Sequence, residues 1–564
     1  MGGASRKTIP GLRCRYGDKV IRSQVMNMNE TNVATGTRKK EGFAELFHTW
    51  RYFFWLLGLV AVIGLFYAEE NWRGEWAWKK HQQEMRARGE QFEPSAFIPR
   101  RAPDEDNFTM TPYLEPLFAF VPGTQRWHTT NAFANDQAFF ARYNTASSLV
   151  HAKKGPHSSS WIRPRTDLTE WAAAFLQPTN AAARRHTAIL ETNFTAQQAA
   201  AEVLAALSEG EPVIEEMRAA SGRKRCRFNI RYEEDNPAAI LLPHLAVLKH
   251  LSQVLQLRAS TELALSRTDA AFQDVNLMLF LAECNRDEPI LVSQLVRITQ
   301  LYLALQPVAE GIGQWSEPQL RALQERLQSF DFCADSRRSL QAERVLFGGG
   351  IIEYVRRAPD KFHLMSELSG AMDDQRGGAE LVGTMMAATP SGWLYLEQLN
   401  HSRLFEEYLL PTIEPTNRQI RPAVSRKAEQ RTAELGKHSR PALFLRHRFF
   451  AGLLSPSISR FVQKTAFAQT SVDTAAVACA LERYRLAHGQ FPDSLEELAT
   501  QFMDKLPHDI INGQPLKYHR STEGRYVLYS IGWNEKDDGG TVAMAKSGEG
   551  ADSNEGDWVW TELE

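Results

Sequence analysis

Along most of the chain apolar positions are interleaved with polar ones, but between Tyr52 and Ala68 the interleaving stops. The segment YFFWLLGLVAVIGLFYA runs seventeen residues without a charge. At about 1.5 Å per residue it reaches the lower end of the roughly 17–25 residues that a membrane-crossing helix needs. It is apolar on every face, whereas a helix packed on one side of a soluble core keeps a polar face. Aromatic side chains stand at both ends, Trp50, Tyr52 and Trp55 before the core and Tyr67, Trp72, Trp76 and Trp78 after it, where amphipathic rings settle at the two interfaces. Arg38, Lys39, Lys40 and Arg51 precede the span, and Glu69 and Glu70 follow it. The positive-inside rule therefore predicts a cytoplasmic N-terminus and an extracytoplasmic body. Cleavage as a signal peptide is disfavoured, because Phe66 stands two positions before Ala68, where a small residue is required. The expectation is an uncleaved signal-anchor helix at 50–70. Residues 1–40 show no apolar period and read as a disordered cytoplasmic tail, with Met26 and Met28 as alternative starts. No other stretch approaches eighteen consecutive apolar residues.

Beyond the span, Trp72 to Glu90 is polar, Trp-rich and compatible with helix. Pro94, Pro99, Pro103, Pro112 and Pro116 then fix φ and remove backbone donors, so 71–120 reads as a juxtamembrane helix followed by an extended strap. Residues 121–240 carry no steady period and are left unassigned, apart from Ala-rich helical character at Ala199–Leu207 and Glu211–Ala220. The strongest periodicity lies between Pro243 and Arg357. Leu245, Leu248, Leu251, Leu255 and Ala259 form one apolar face, a second helix follows Thr268–Asp269, and Pro289 opens a third. Ser316-Glu317-Pro318-Gln319 is a start signal for a fourth: an N-cap, an early proline and a glutamine that closes a capping box. Four helices with short connections predict an antiparallel stack that resembles a tetratricopeptide-like array in architecture, without a strict 34-residue repeat. The fold class expected is therefore mainly α, with the helical domain spanning 241–460.

From Phe449 to His488 one long helix is predicted, and after it the pattern changes. A short helix capped by Asp493 or Ser494 is followed by a turn at Asn512-Gly513-Gln514-Pro515. The alternating segments LKYHR and RYVLYSIG predict an antiparallel pair of strands. An acidic, Gly-rich loop and a last strand, WVWTEL, close the chain.

The succession LERYRLAHGQFPDSLEEL, LPHDIINGQPLKY, YVLYSIG, DDGG and GDWVW resembles the periplasmic part of type II secretion major pseudopilins. The resemblance covers roughly Thr465 to Glu564 and implies a small α+β domain at 461–564: a helix, an antiparallel sheet and a calcium-holding loop. Carried onto this sequence, the calcium ligands would be Asn534, Asp537, Asp538 and Asp557, with Asp552 as a spare and Gly539–Gly540 allowing the turn. Calcium takes six to eight hard oxygens, which suits such a loop. The leader chemistry departs from that family: Gly42-Phe43 is followed by Glu45 at the third position and Phe47 at the fifth, where a pseudopilin has its glutamate. The module thus reads as tethered rather than polymerising. The blocks NWRGEWAWKK, PDEDNFTMTP, LPHLAVLKHL and EPILVSQLVRI resemble those of large bacterial single-pass membrane proteins that carry such a module, which implies the inner membrane as location and brings no activity with it.

Composition changes this picture little. A 43% hydrophobic and 23% charged chain of 564 residues suits ordinary globular folding, and its net charge of −2 carries no long basic tract that would argue for nucleic acid. The cysteines Cys14, Cys226, Cys284, Cys333 and Cys479 are too dispersed for a CxxC metal or redox motif. For Cys284 and Cys333, a bridge is one reading and isolated semi-buried thiols the favoured one. HExxH, GxSxG, P-loop and strand-turn-helix GxGxxG motifs are missing from the sequence. Gly348-Gly349-Gly350 lacks the Lys and Ser/Thr of a phosphate cradle and reads as a helix break. His244 and His250 lie six apart, off a shared helical face. His447 between arginines reads as a solvated basic turn, Glu283, Asp287 and Glu288 as caps and surface charge, and Arg223–Arg227 as a solvated loop. The expectation is a non-enzymatic, membrane-tethered scaffold with protein partners in the envelope and no small-molecule substrate. Its rival is an envelope hydrolase whose site is assembled from residues distant in sequence.

Overall fold

The computed structural model describes residues 42–121, 134–152, 164–177, 194–361, 363–364, 379–454, 458–499, 501–521, 524–545 and 551–560. The expected tail at 1–40 lies outside them. The first described element is helix α1 (Gly42–Ala87). Its most apolar eighteen-residue stretch has a mean hydropathy of 1.8 and is 0% buried, so α1 is long and apolar enough to cross a bilayer. Contacts divide the chain within this helix into Met1–Leu65 and Phe66–Glu564. Of the first unit the described part is the start of α1. The rest of the fold belongs to the second.

The second unit takes up α1 at Phe66. After Ala87 the Pro-rich strap is neither loose nor fully extended. It forms short 3-10 turns at Pro94–Ala96, Asp104–Asp106, Phe108–Met110 and Glu115–Phe118, and it buries Phe97, Phe108, Leu114 and Leu117. The region 121–240 contributes helices at Ala134–Ala152, Leu168–Phe175, Ala196–Leu207 and Glu211–Ala220 and an irregular stretch over 221–236. The third of these starts at a capping box in which Thr195 and Gln198 satisfy each other's backbone donors.

The periodic stretch gives α2 (Pro243–Ala264), α3 (Thr268–Cys284), α4 (Leu291–Glu310) and α5 (Glu317–Gln328). Helix α2 is also apolar enough to count as a span, but it packs against α3, α4 and Ala196–Leu207. Its buried Ser252 and Thr261 hydroxyls donate to the Leu248 and Leu257 carbonyls one turn back, the usual way a buried helix satisfies hydroxyls. Helices α2, α3 and α4 each touch the other two. Helix α5 begins at the predicted Ser316–Gln319 capping box, yet it packs mainly on a helix 130 residues further on and only lightly on α3. The four do not form a simple stack.

Next come α6 (Phe332–Ala342) and α7 (Gly349–Arg357), joined by a π-helical turn, Glu343–Gly348. The three glycines at 348–350 therefore carry a helix through and do not break it. Helix α8 (Gly392–Leu404) runs into a second π-helical turn, Phe405–Leu409. A two-residue hairpin pairs β1 (Ile413–Glu414) with β2 (Gln419–Ile420), and α9 (Pro422–Gly436) follows. The long helix expected from Phe449 comes in two pieces, Phe449–Leu454 and α10 (Ile458–His488).

Helix α10 is the core of this unit. It packs against α4, α5, α6 and α9 on the helical side and against strands on the other. Strand β3 (Lys517–Arg520) pairs antiparallel with β4 (Tyr526–Ser530) in the register Lys517↔Tyr529, as the alternation predicted, and β7 (Trp558–Trp560) adds to the far edge of β4. The acidic loop holds a further hairpin, β5 (Val542–Met544) with β6 (Ala551–Gly556), which the sequence did not suggest. The expected boundary at 460/461 is crossed by many bonds. Arg483 donates to Gln324 Oε1 at 2.9 Å, Gln324 Nε2 donates to the Phe502 carbonyl at 2.8 Å, and Ile420 N donates to the Ile510 carbonyl. The C-terminal α+β region is thus built onto the helical body and shares its core.

Candidate functional site

The loop singled out as a calcium holder is ordered by its own donors. Gly539 and Gly540 take φ of 70° and 81°, the left-handed conformation the turn requires. Asp557, 1% exposed, accepts from Asp538 N at 3.2 Å and Gly540 N at 2.7 Å. Asp537 Oδ1 accepts from the Tyr529 hydroxyl at 3.0 Å and Gly539 N at 3.2 Å, and Lys517 Nζ stands 3.4 Å from its other oxygen. Asn534 donates from Nδ2 to Asp538 Oδ2 at 2.9 Å. Asp552 serves its own turn, accepting from Asn554. The structure brings Asn534, Asp537, Asp538 and Asp557 into one loop but does not converge their oxygens on a point. Backbone N–H groups, a phenol and an ammonium take the acceptor positions a cation would use. The Gly539 N–H and the Tyr529 hydroxyl hold Asp537 below the usual carboxylate range, and burial pushes Asp557 up. Among the described residues no three His, Cys, Asp or Glu side chains form a metal-holding group. As arranged, the oxygens of these residues are engaged by donors of the chain itself.

A denser polar cluster lies where the end of α1 and the residues just after it meet the two π-helical turns. Arg344, in the first turn, is buried to 1% and donates to Glu90 Oε2 and Glu406 Oε1, both at 2.9 Å, with its guanidinium 4.6 Å over the Phe92 ring. Glu406 sits in the second turn and also accepts from Ser402 at 2.8 Å; His81 Nε2 stands 3.3 Å from the same oxygen. Burial alone would raise Glu406, but the hydrogen bonds of His81 and Ser402, with the charges of His81 and Arg344, outweigh it and hold the group low. Arg337 donates to the Leu410 and Ile413 carbonyls, fixing the end of the second turn.

Glycine at position 348 has a steric reason. Gly348 faces His401 so closely that a Cβ there would lie 2.0 Å from Nε2. His401 is 1% exposed, and both its ring nitrogens are buried without a hydrogen-bond partner. Burial, reinforced by the Arg344 charge, lowers it to about 3, so the ring is neutral. Further along the seam α1 and α8 cross at backbone contact. A Cβ on Gly74 would lie 2.1 Å from the Gly392 carbonyl oxygen, and one on Gly392 would lie 2.2 Å from that of Glu70. Asn71 Oδ1 accepts from Gly392 N at 2.8 Å, and Trp393 Nε1 donates to Glu70 Oε2 at 3.0 Å.

Ser402, His81 and Glu406 are the residue types of a hydrolytic triad, but their connectivity is not one. Ser402 Oγ and Glu406 Oε1 both approach the same His81 nitrogen, Nε2, at 3.2 and 3.3 Å. Ser402 also donates directly to the carboxylate. A relay needs the acid on one ring nitrogen and the nucleophile on the other. The arrangement locks three segments together and leaves Ser402 Oγ no free path to a substrate. On the other side of α8 a cavity of about 130 Å³ is lined by Asn400, Arg403, Glu407, Tyr408, Arg431 and Arg448, and it is open and basic.

The remaining sequence candidates fall as follows. His244 is fully buried, 2.8 Å from Glu288 Oε1 and stacked 4.1 Å from Phe228. Glu283 pairs with Arg297, which is 0% exposed and also bonds Asp335 at 2.7 Å between the Phe330 and Phe332 rings. Glu283 and Glu288 are thus partners of buried groups, whereas Asp287 is exposed surface charge as expected. His447 is half-buried against Trp393, with φ of 53°, and Arg223 and Arg227 donate to the Asn107 and Pro99 carbonyls. Cys284 and Cys333 are both free thiols. Sequence reasoning passed over Arg297 and Arg344, and the signal available was a lone arginine inside an apolar helical run. Compared with protein-family models, curated proteins and solved structures, the chain matches none.

Proposed function

We propose that this chain is a membrane-tethered scaffold, anchored by α1 with its N-terminus in the cytoplasm and its body outside, at a bacterial inner membrane. The observation that carries the reading is the seam at Gly74 and Gly392. There, helix continuing from the apolar segment is seated by backbone contact in the body, and the polar groups beside it are spent on holding that seat. A site built for turnover would leave a nucleophile or base open to substrate. The Ser402-His81-Glu406 group is instead closed on itself, which favours the scaffold over the hydrolase. The partners are proteins of the envelope, and the resemblance at 465–564 makes secretion or envelope assembly the setting. Calcium is outside the proposal, because the loop donors already occupy its oxygens.

Two measurements test it. Protease added to intact spheroplasts should digest the body and leave a protected fragment that contains residues 1–50. A body protected until lysis would reverse the orientation. The full chain, purified from detergent-solubilised membranes, should carry the same protein partner at constant stoichiometry in independent preparations. Recovery of the chain alone would refute the scaffold.

A further inference from the structure

The strap and the helical body meet at a pair of thiols. Residues 225–227 lie beside the Pro-rich strap: Arg225 N donates to the Asp106 carbonyl and Phe108 N to that of Arg225. Asn107 bonds Arg227 through both its Oδ1 and its Nδ2. Between these anchored arginines is Cys226, half-buried, and Cys284 is the buried last residue of α3. Both thiols line one small crevice of about 10 Å³ with Pro99, Tyr232 and Glu288, and the Cys284 side chain is among the groups acting on the Cys226 thiol. Cys333, the other partner considered for Cys284 beside the favoured reading of isolated thiols, is buried near Asp331, Asp473 and Arg418.

We infer that Cys226 and Cys284 close as a structural disulfide that fastens the strap and the 225–232 segment to the end of α3. The inference rests on the extracytoplasmic reading of the body, since such bonds persist in oxidising compartments. The oxidant is the disulfide of a thiol–disulfide oxidoreductase or of a small thiol. One cysteine thiolate attacks it to give a mixed disulfide, and the second attacks the mixed disulfide and releases the oxidant as dithiol. The two protons of the cysteine thiols and the two electrons both end on the oxidant, whose disulfide becomes two thiols. Burial pushes the Cys226 thiol up, away from the thiolate that a fast redox catalyst needs. The bond is therefore set once during folding and is not cycled.

The test uses the full chain in detergent. Purified, reduced protein is incubated with glutathione disulfide, denatured, alkylated and mapped by peptide mass spectrometry. A 226–284 linked peptide should form in wild type and in Cys333→Ser, and should be lost in Cys226→Ser and in Cys284→Ser. Absence of that peptide from oxidised wild type overturns the pairing. The same mapping on protein acid-trapped directly from cells separates the two readings. A linked peptide there supports both. Fully reduced thiols from cells, with linkage formed in vitro, keep the pairing and overturn the extracytoplasmic placement.

Discussion

Placing a methyl group between α1 and α8 tests the seam directly. In Gly74→Ala the new Cβ would sit 2.1 Å from the Gly392 carbonyl oxygen. A carbon–oxygen pair rests at about 3.3 Å or more, so the helices must part by roughly 1.2 Å along that line. Overpacking of this kind costs about 1–3 kcal/mol. The shift also stretches the Asn71–Gly392 and Glu70–Trp393 hydrogen bonds, each worth about 0.5–1.5 kcal/mol. Against this, alanine gains about 1 kcal/mol over glycine in a helix. The net loss is on the order of 3 kcal/mol. Since 1 kcal/mol moves the midpoint of a 150–250-residue domain by about 2–4 °C, and a larger unit by less, the midpoint should fall by about 3–6 °C. Tryptophan fluorescence of the detergent-solubilised chain during heating reads it, with Trp393 at the seam. Gly392→Ala should behave alike, and the double variant should cost less than the sum because the helices part only once. Gly58→Ala and Gly222→Ala, whose new methyls meet nothing within 4 Å, are the controls. A Gly74→Ala midpoint within about 1 °C of these controls would refute the reasoning.

Other expectations concern the buried charges and the loop. Arg297→Met leaves the Glu283 and Asp335 carboxylates without their buried partner and should cost about 3–5 kcal/mol by urea unfolding; a loss under about 1 kcal/mol would show the pair to be dispensable. His401 is held neutral in the folded state down to about pH 3, whereas the unfolded ring takes a proton below about pH 6.5. Its contribution is therefore present above pH 6.5 and is lost as pH falls, by about 2 kcal/mol between pH 6.5 and 5. His401→Phe should flatten that limb of the stability–pH curve, and an unchanged slope would place the pH dependence elsewhere. Millimolar calcium against chelator should leave the melting midpoint unchanged. A rise of several degrees that Asp557→Asn abolishes would mean that the loop rearranges around a cation.

What could be read from the sequence was local. The span declared itself by seventeen uncharged residues, α5 by its Ser316–Gln319 box, and β3–β4 by alternation around a turn, because each signal lies within one element. The glycines at 348–350 misled because a run of glycine usually ends a helix. Here they admit the His401 ring, 53 positions away from Gly348, and no window of sequence contains both. The polar cluster was hidden for the same reason: Glu90 and Arg344 are 254 residues apart. Helix α10 was recognised as a helix, but not that it serves both the helical body and the sheet. Its polar Gln469 and Arg483 bond Phe332 N and the Phe502 carbonyl, contacts that look from sequence like solvent-facing positions.

The dual service of α10 has a consequence during synthesis. The apolar side of α5, with Leu320, Leu323 and Leu327 fully buried in the finished fold, has α10 as its main cover. A ribosome making about 5–20 residues per second needs roughly 10 seconds or so to travel from α5 to the end of α10. Throughout that interval α1 can already be engaged with the membrane while the body it carries stays uncapped. The nascent chain is then a substrate for chaperones and proteases on the side where it emerges, and shortening it from the C-terminus would prolong that exposure indefinitely.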